Sequence, residues 1–520
     1  MRSCVLRRTL AALLLLSCGT LAGCASRSGK PDGSPLEQQL ELHRWQVARG
    51  ETFTAYTNAP GAHARRSMRR VDRFVEVAGH LLYGRAFSPS RPLDLYLFRD
   101  SEQFQLFAPE FARGHASRLD DRSFLALGLD HGLSTGVLYH ELLHVVLFDD
   151  SSRNYPRWFH EGLAEFFSTS VLRDDVLTIG RAPALRVDGM RLHSPIPLAR
   201  LLDGPGAGSE IDDVFRYYAD AWVFIHYALL GERGGGEGGR NLSSLSELRE
   251  RMRGLRGLAR LLHDGADLQL ALPQAFGESM KAIEAGYERY RSFILDSHVR
   301  TVWHFTIPLR EDRLDFQPTE MVEIVRALAR YAEHTVDDEP IVAELWDIAL
   351  AAEPTDPVAL QGRVRAAARD GDLALAREIW ARLPEVVRSS RSACWTAGSL
   401  AHAEYASSPG ARSLEAAYLE EARDRYRCVL ESSPNRLSVL AALGETYVLE
   451  ELAKPQPGIV VLERVLELQP GVPSVRLDLA ILLLRAGEVE SARVHLEYVV
   501  ERYPKSELAS RARSLLKEAR

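Results

Sequence analysis

Val137-Leu-Tyr-His140-Glu141-Leu-Leu-His144-Val-Val-Leu147 is the stretch that most limits what this chain can become. An apolar helix has to be buried, and burial makes each polar side chain on it costly unless that side chain is paired. Here Val137, Leu138, Leu142, Leu143, Val145, Val146 and Leu147 surround two histidines and a glutamate. His140 and His144 stand one turn apart on one helix face, so both imidazoles reach a single metal ion. Glu141 lies beside that face, placed to accept a proton from a water on the metal. The plainer reading is a chance HxxxH on a core helix. The rest of the chain has to decide between them.

With 520 residues there is room for two or three domains. The 46% hydrophobic and 26% charged content is that of an ordinary soluble protein, which excludes disorder over the whole length. A net charge of −7 argues against a general nucleic-acid binder.

Residues 1–23 read as a signal segment: Arg2, Arg7 and Arg8 precede an apolar run, Leu10 to Leu16, too short to span a membrane. Leu21-Ala-Gly-Cys24 resembles the lipobox of bacterial lipoproteins. That resemblance implies lipidation of Cys24 and a place in the bacterial cell envelope, anchored to a membrane and facing the periplasm, with the outer membrane expected. The alternative is a plain secretory signal with a coincidental cysteine. Cleavage removes three arginines and no acids, moving the net charge from −7 to −10. Residues 24–35 are small, polar and turn-rich, as a flexible tether would be. Cys394 and Cys428 remain in the body; in an exported protein they could pair, and neither belongs to a CxxC pattern.

Ordered structure is expected from Leu36. Strands at 52–57, 93–98 and 123–129 alternate with a basic helix over 64–82 and a short helix at 102–107, all feeding into the histidine helix. The cluster Arg65, Arg66, Arg69 and Arg70 reads first as a solvated face and second as a phosphate or lipid-headgroup contact. Further helices are expected from Arg157, over 217–227, 245–263 and 275–295, with a glycine-rich linker or lid at 231–239. The pattern predicts an α+β domain over 36–297.

A catalytic zinc takes three protein ligands and leaves one position for water. A metzincin would have glycine and histidine where this chain has Leu147 and Asp150, so that class is excluded. Trp158-Phe-His160-Glu161-Gly-Leu-Ala164-Glu165 instead resembles the WxNEGxA segment of gluzincins, the aminopeptidase N-like and thermolysin-like peptidases. The resemblance implies a zincin-like metallopeptidase fold, Zn²⁺ as cofactor and Glu161 as third metal ligand beside His140 and His144. It also implies a downstream tyrosine as oxyanion donor, Tyr218 with Tyr217 as rival. Glu165, one turn past Glu161, is placed to accept the second N–H of a ligand histidine. His160 replaces the asparagine of the pattern and leaves an extra imidazole near the metal. His226, two turns past Tyr218, reads as a site residue or as a satisfied core histidine.

From residue 318 to 520 uninterrupted helix pairs are expected. Pro434, Pro470 and Pro504 recur 36 and 34 residues apart, and Leu479, Ala480, Leu483, Gly487, Ala492 and Leu496 follow the tetratricopeptide pattern. Gly371 and Ala376 keep the spacing of Gly487 and Ala492 in a degenerate unit. A generic all-α solenoid is the alternative. The whole arrangement resembles the bacterial peptidase-MA-like family, exported gluzincins often followed by such repeats. It implies a zinc-dependent endopeptidase, with Glu141 as general base, a protein or peptide substrate and a protein partner on the repeats. The rival function is a non-catalytic zinc-bearing adaptor acting through the repeats.

Overall fold

Leu93–Phe98 (β3) is buried at all six positions, and its alternate residues serve two different cores. Leu93, Leu95 and Leu97 meet one, Tyr96 and Phe98 the other, as a period of two requires. The computed structural model describes residues 34–520 apart from 109–111, 120, 131–134, 150–154, 204–210, 232–243, 298–302, 308–314, 318, 336–338, 408–411, 451–453, 470, 505 and 519–520. The signal segment, Cys24, the tether up to residue 33 and most of the glycine-rich tract therefore lie outside the described residues.

β3 runs parallel to β2 (Thr54–Thr57) and β5 (Ser123–Gly128) in a six-stranded sheet. β1 (Gln46–Arg49) and β9 (Asp315–Gln317) extend one side, and β4 (Gly114–Arg118) forms the opposite edge, antiparallel to β5. The first sheet face packs against α1 (Gly61–Tyr83) and α2 (Thr135–Asp149), the helix of the paired histidines. Phe74 of α1 stacks on Tyr139 of α2 with centroids 4.3 Å apart. Behind α2 lie α3 (Arg157–Ser168), α4 (Ala184–Leu192), α5 (Ile211–Leu230), α6 (Leu245–His263) and α7 (Met280–Ser297). The helix expected over 275–295 is two, Leu268–Phe276 and α7, because Gly277 caps the first in a left-handed conformation (φ 71°). A small sheet that the sequence reading missed joins β6 (Val171–Arg173), β7 (Val176–Ile179) and β8 (Trp303–Thr306).

The second sheet face is covered by α8 (Met321–Thr335). Tyr331 stacks on Tyr96 at 4.7 Å, and the Tyr96 hydroxyl donates to the Ala327 carbonyl at 2.9 Å. The expected division at 318 thus falls within shared packing: 315–317 complete the sheet and the next helix seals it. Helix pairs follow: α8 with α9 (Glu339–Ala352), α10 (Pro357–Arg369) with α11 (Leu373–Arg382), α12 (Cys394–Ala406) with α13 (Arg412–Ser432), α14 (Leu437–Leu449) with α15 (Gln456–Leu468), α16 (Pro473–Arg485) with α17 (Val489–Arg502), then α18 (Glu507–Glu518). Gly371 and Gly487 both turn between paired helices with positive φ, 79° and 83°, which accounts for their shared place in the repeat. Cys394 and Cys428 form a disulfide between α12 and α13. Most of the described residues are helical, and the strands of both sheets lie before Met321. No helix among the described residues is long and apolar enough to cross a membrane.

Candidate metal centre

The helix that carries Glu161 is seated on α5 because α3 is small where it must be. A Cβ on Gly162 would lie 2.6 Å from the Ala221 carbonyl oxygen, so only glycine lets α3 approach α5 this closely. Trp158, one turn before Gly162, packs edge-on against Phe224 of α5 at 5.4 Å, and Phe159 beside it is buried as well. Burying each of these side chains stabilises by about 2–3 kcal/mol, so the position of Glu161 one turn on is fixed by packing.

That packing brings His140, His144 and Glu161 together. The two Nε2 atoms are 3.2 Å apart, and Glu161 Oε2 lies 3.6 Å from each. Four donors around an ion at bonds of about 2.0–2.1 Å would form a tetrahedron with edges of about 3.3 Å. The observed triangle is close to one face of it. Glu161 Oε2 is buried without a hydrogen-bond partner, the kind of orphaned acceptor a cation would satisfy. Burial would raise the Glu161 pKa, but the two imidazoles hold it well below the ordinary value. At His140 burial disfavours the imidazolium; Glu161, Glu141 and Glu165 outweigh it and hold the pKa up. Positive charge is therefore favoured at this spot, and these three residues could hold a metal.

Glu165 Oε1 lies 3.5 Å from His140 Nδ1. It has a partner that the sequence reading missed: Arg186 of α4, whose Nη2 donates to Glu165 Oε1 at 2.5 Å. Nothing in the run Arg181-Ala-Pro-Ala-Leu-Arg186 signals this role. The Arg186 guanidinium also lies 5.2 Å from the Tyr218 ring, and Arg157 stands 5.8 Å from the same ring. The Tyr218 hydroxyl is within reach of both Arg157 and Glu161, and burial, reinforced by Glu161, pushes its pKa up to about 12. Tyr217 is buried, with the Arg157 guanidinium 5.7 Å from its ring. Of the two tyrosines, Tyr218 is the one beside Glu161.

Glu141 lies under the edge strand: a Cβ on Gly114 would sit 2.7 Å from Glu141 Cγ. The sequence reading missed β4 because Gly-His-Ala-Ser-Arg has no apolar alternation. His160 is outside the triangle. Its ring packs against Phe148 at 5.5 Å and His144 at 6.0 Å, and burial together with His144 lowers its pKa to about 3.

His226 is a core histidine. Its Nδ1 pairs with the Tyr290 hydroxyl at 2.6 Å and its Nε2 with the Gly180 carbonyl at 3.1 Å, and burial lowers its pKa to about 4. Below the ordinary value of 6.5 the unfolded chain takes up a proton that the folded chain refuses until about 4. Stability carried by the neutral imidazole is full above that window and lost as the pH falls through it, by about 3 kcal/mol. Urea unfolding at pH 6.5 and at pH 4 checks this: His226→Gln should flatten the fall, and an unchanged slope would assign it to other groups.

Residues 454–516 match the family model of the tetratricopeptide repeat. This chain carries a tetratricopeptide-repeat region. Solved structures similar to it include TTC0263, a thermophilic TPR protein of Thermus thermophilus, at 23% identity and TM-score 0.32, covering 38% of this chain and 99% of that one. PilF of Pseudomonas aeruginosa is similar at 17% identity and TM-score 0.27, over 38% and 90% of the two chains. YrrB, described as a TPR protein with an unusual peptide-binding site, is similar at 13% and 0.28, over 37% and 90%. No curated protein matches the chain.

Proposed function

We propose that this chain is a zinc-dependent endopeptidase of the bacterial cell envelope whose tetratricopeptide repeats hold a protein partner or a segment of substrate. The observation that carries the reading is the triangle of His140 Nε2, His144 Nε2 and Glu161 Oε2, with Glu141 next to it on α2. Two imidazoles and a carboxylate are a donor set of catalytic zinc sites, which keep a fourth position for water. When bound, zinc supplies Lewis acidity to the scissile carbonyl and lowers the pKa of the attacking water. Glu141 takes the proton from that water and delivers it to the leaving amine. Tyr218, kept protonated by burial, donates to the oxyanion. Glu165 orients His140 through Nδ1, and Arg186 in turn holds Glu165. β4 is one of the two edge strands of the six-stranded sheet, and an extended peptide laid along it would pass Glu141. The envelope location rests on Leu21-Ala-Gly-Cys24 and the signal segment before it.

Two consequences test the surroundings. Arg186→Gln is expected to weaken zinc binding by about 10–100-fold in competition with a chelating indicator; unchanged affinity would mean that Glu165 orients His140 unaided. Gly114→Val places a side chain against Glu141 and is expected to lower hydrolysis at least about tenfold at constant zinc content. Equal rates would show that Glu141 has room to move.

The rival, a zinc-bearing adaptor, is favoured by the repeat region itself; against it, a structural site has no use for a base at Glu141. Incubating the purified full-length chain with an unfolded protein substrate separates the two. Cleavage that a chelator stops and added zinc restores supports the endopeptidase. Bound zinc without cleavage would sink it and leave the adaptor.

A further inference from the structure

α1 carries five arginines, at 65, 66, 69, 70 and 73, against two acids, Asp72 and Glu76, in a chain that is acidic as a whole. Arg65, Arg69 and Arg73 succeed one another every fourth residue, and Arg66 with Arg70 forms a second row beside them. Together they extend along about 12 Å of helix. A merely solvated basic face would spread its charges over a convex surface. Here all five arginines line one open cavity of about 570 Å³, together with Tyr139 of α2 and Leu172 of β6.

Tyr139 is buried and held flat against Phe74, so it gives the cavity a fixed apolar wall. Asp72 accepts from the Thr52 hydroxyl at 3.5 Å, and Asp72, Glu76, Arg65, Arg69 and Arg73 each have further interactions. The guanidinium fork matches phosphate oxygens two at a time, and several converging forks select a group with more than one negative charge. None of the lining residues belongs to the His140–His144–Glu161 triangle.

We propose that this cavity is a phosphate-recognition site, independent of the metal centre, for the phosphate of a soluble ligand or of a lipid headgroup. The headgroup source fits a chain tethered to a membrane, because α1 follows the tether by fewer than thirty residues. The soluble source fits the apolar wall that Tyr139 and Leu172 add beside the arginines.

The full-length chain is tested beside Arg65→Gln/Arg66→Gln/Arg69→Gln/Arg70→Gln against two probes, inorganic pyrophosphate by calorimetry and vesicles by co-sedimentation. Vesicles of phosphatidylcholine alone are compared with vesicles containing phosphatidylglycerol, so that any lipid anchor contributes equally to both. A preference for the anionic vesicles that falls at least about tenfold in the variant, and that weakens with salt, identifies the headgroup source. Pyrophosphate binding lost in the variant, with no vesicle preference, identifies the soluble source. An unaltered chain that binds pyrophosphate no better than sulfate and shows no anionic preference overturns the proposal, whatever the stability of the variant. So does a folded variant that behaves like the unaltered chain towards both probes.

Discussion

Glu141→Gln is expected to slow peptide hydrolysis by about 10²–10⁴-fold while leaving the zinc content unchanged. Glutamine has the shape of glutamate, so the contact under Gly114 and the packing of α2 survive the change. What is lost is a group able to take a proton from water and give it to an amine. Glu141 is not part of the metal triangle, so its removal separates chemistry from binding. The paired measurements are zinc per chain by elemental analysis and initial rates on an unfolded protein substrate. Retained activity would contradict the assigned base. Loss of zinc in step with activity would make Glu141 a ligand.

His144→Ala is expected to abolish zinc retention through gel filtration and to uncouple stability from the metal. In the unaltered chain a ligand bound a thousandfold above its dissociation constant stabilises by about 4 kcal/mol. Chelation should therefore lower the unfolding temperature of the zinc-loaded protein and leave that of His144→Ala where it stands. The variant should also unfold at a lower temperature than the chelated wild type. Glu161, buried and held ionised by two imidazoles, would keep only one of them. An unfolding temperature that chelation shifts equally in both proteins would place the metal elsewhere.

The parts of this molecule that were legible in the sequence are those where one residue pattern admits one geometry. β3 over Leu93–Phe98 matches its predicted span because a short segment of five apolar residues broken only by Asp94 has nowhere to go but the middle of a sheet. The histidine helix and Arg157–Ser168 were legible because polar residues interrupt apolar runs at one-turn spacing. β4 and the sheet of β6, β7 and β8 were not, being short and, apart from the buried β7, largely half-buried, with sides set by tertiary contacts rather than by alternation. α8 looks like any repeat helix in sequence; only its partner, the Tyr96 face of the sheet, distinguishes it. Arg186 gave no signal because an arginine's partner depends on which helix lies opposite. The same holds for Cys394 and Cys428, whose pairing depends on α12 lying against α13. His226 is open in the sequence between a site residue and a satisfied core histidine, and its two hydrogen bonds assign it to the core.

The central claim is that His140, His144 and Glu161 hold one metal ion. X-ray absorption at the zinc edge of the purified, full-length protein tests it most directly, read beside the metal-to-chain ratio and repeated on Glu161→Gln. The account predicts one zinc per chain with two imidazoles and oxygen donors at about 2.0–2.1 Å, and loss of that site in the variant. A chain that takes up no zinc would contradict it. So would a first shell of three imidazoles that persists in Glu161→Gln, which would put His160 where Glu161 has been placed.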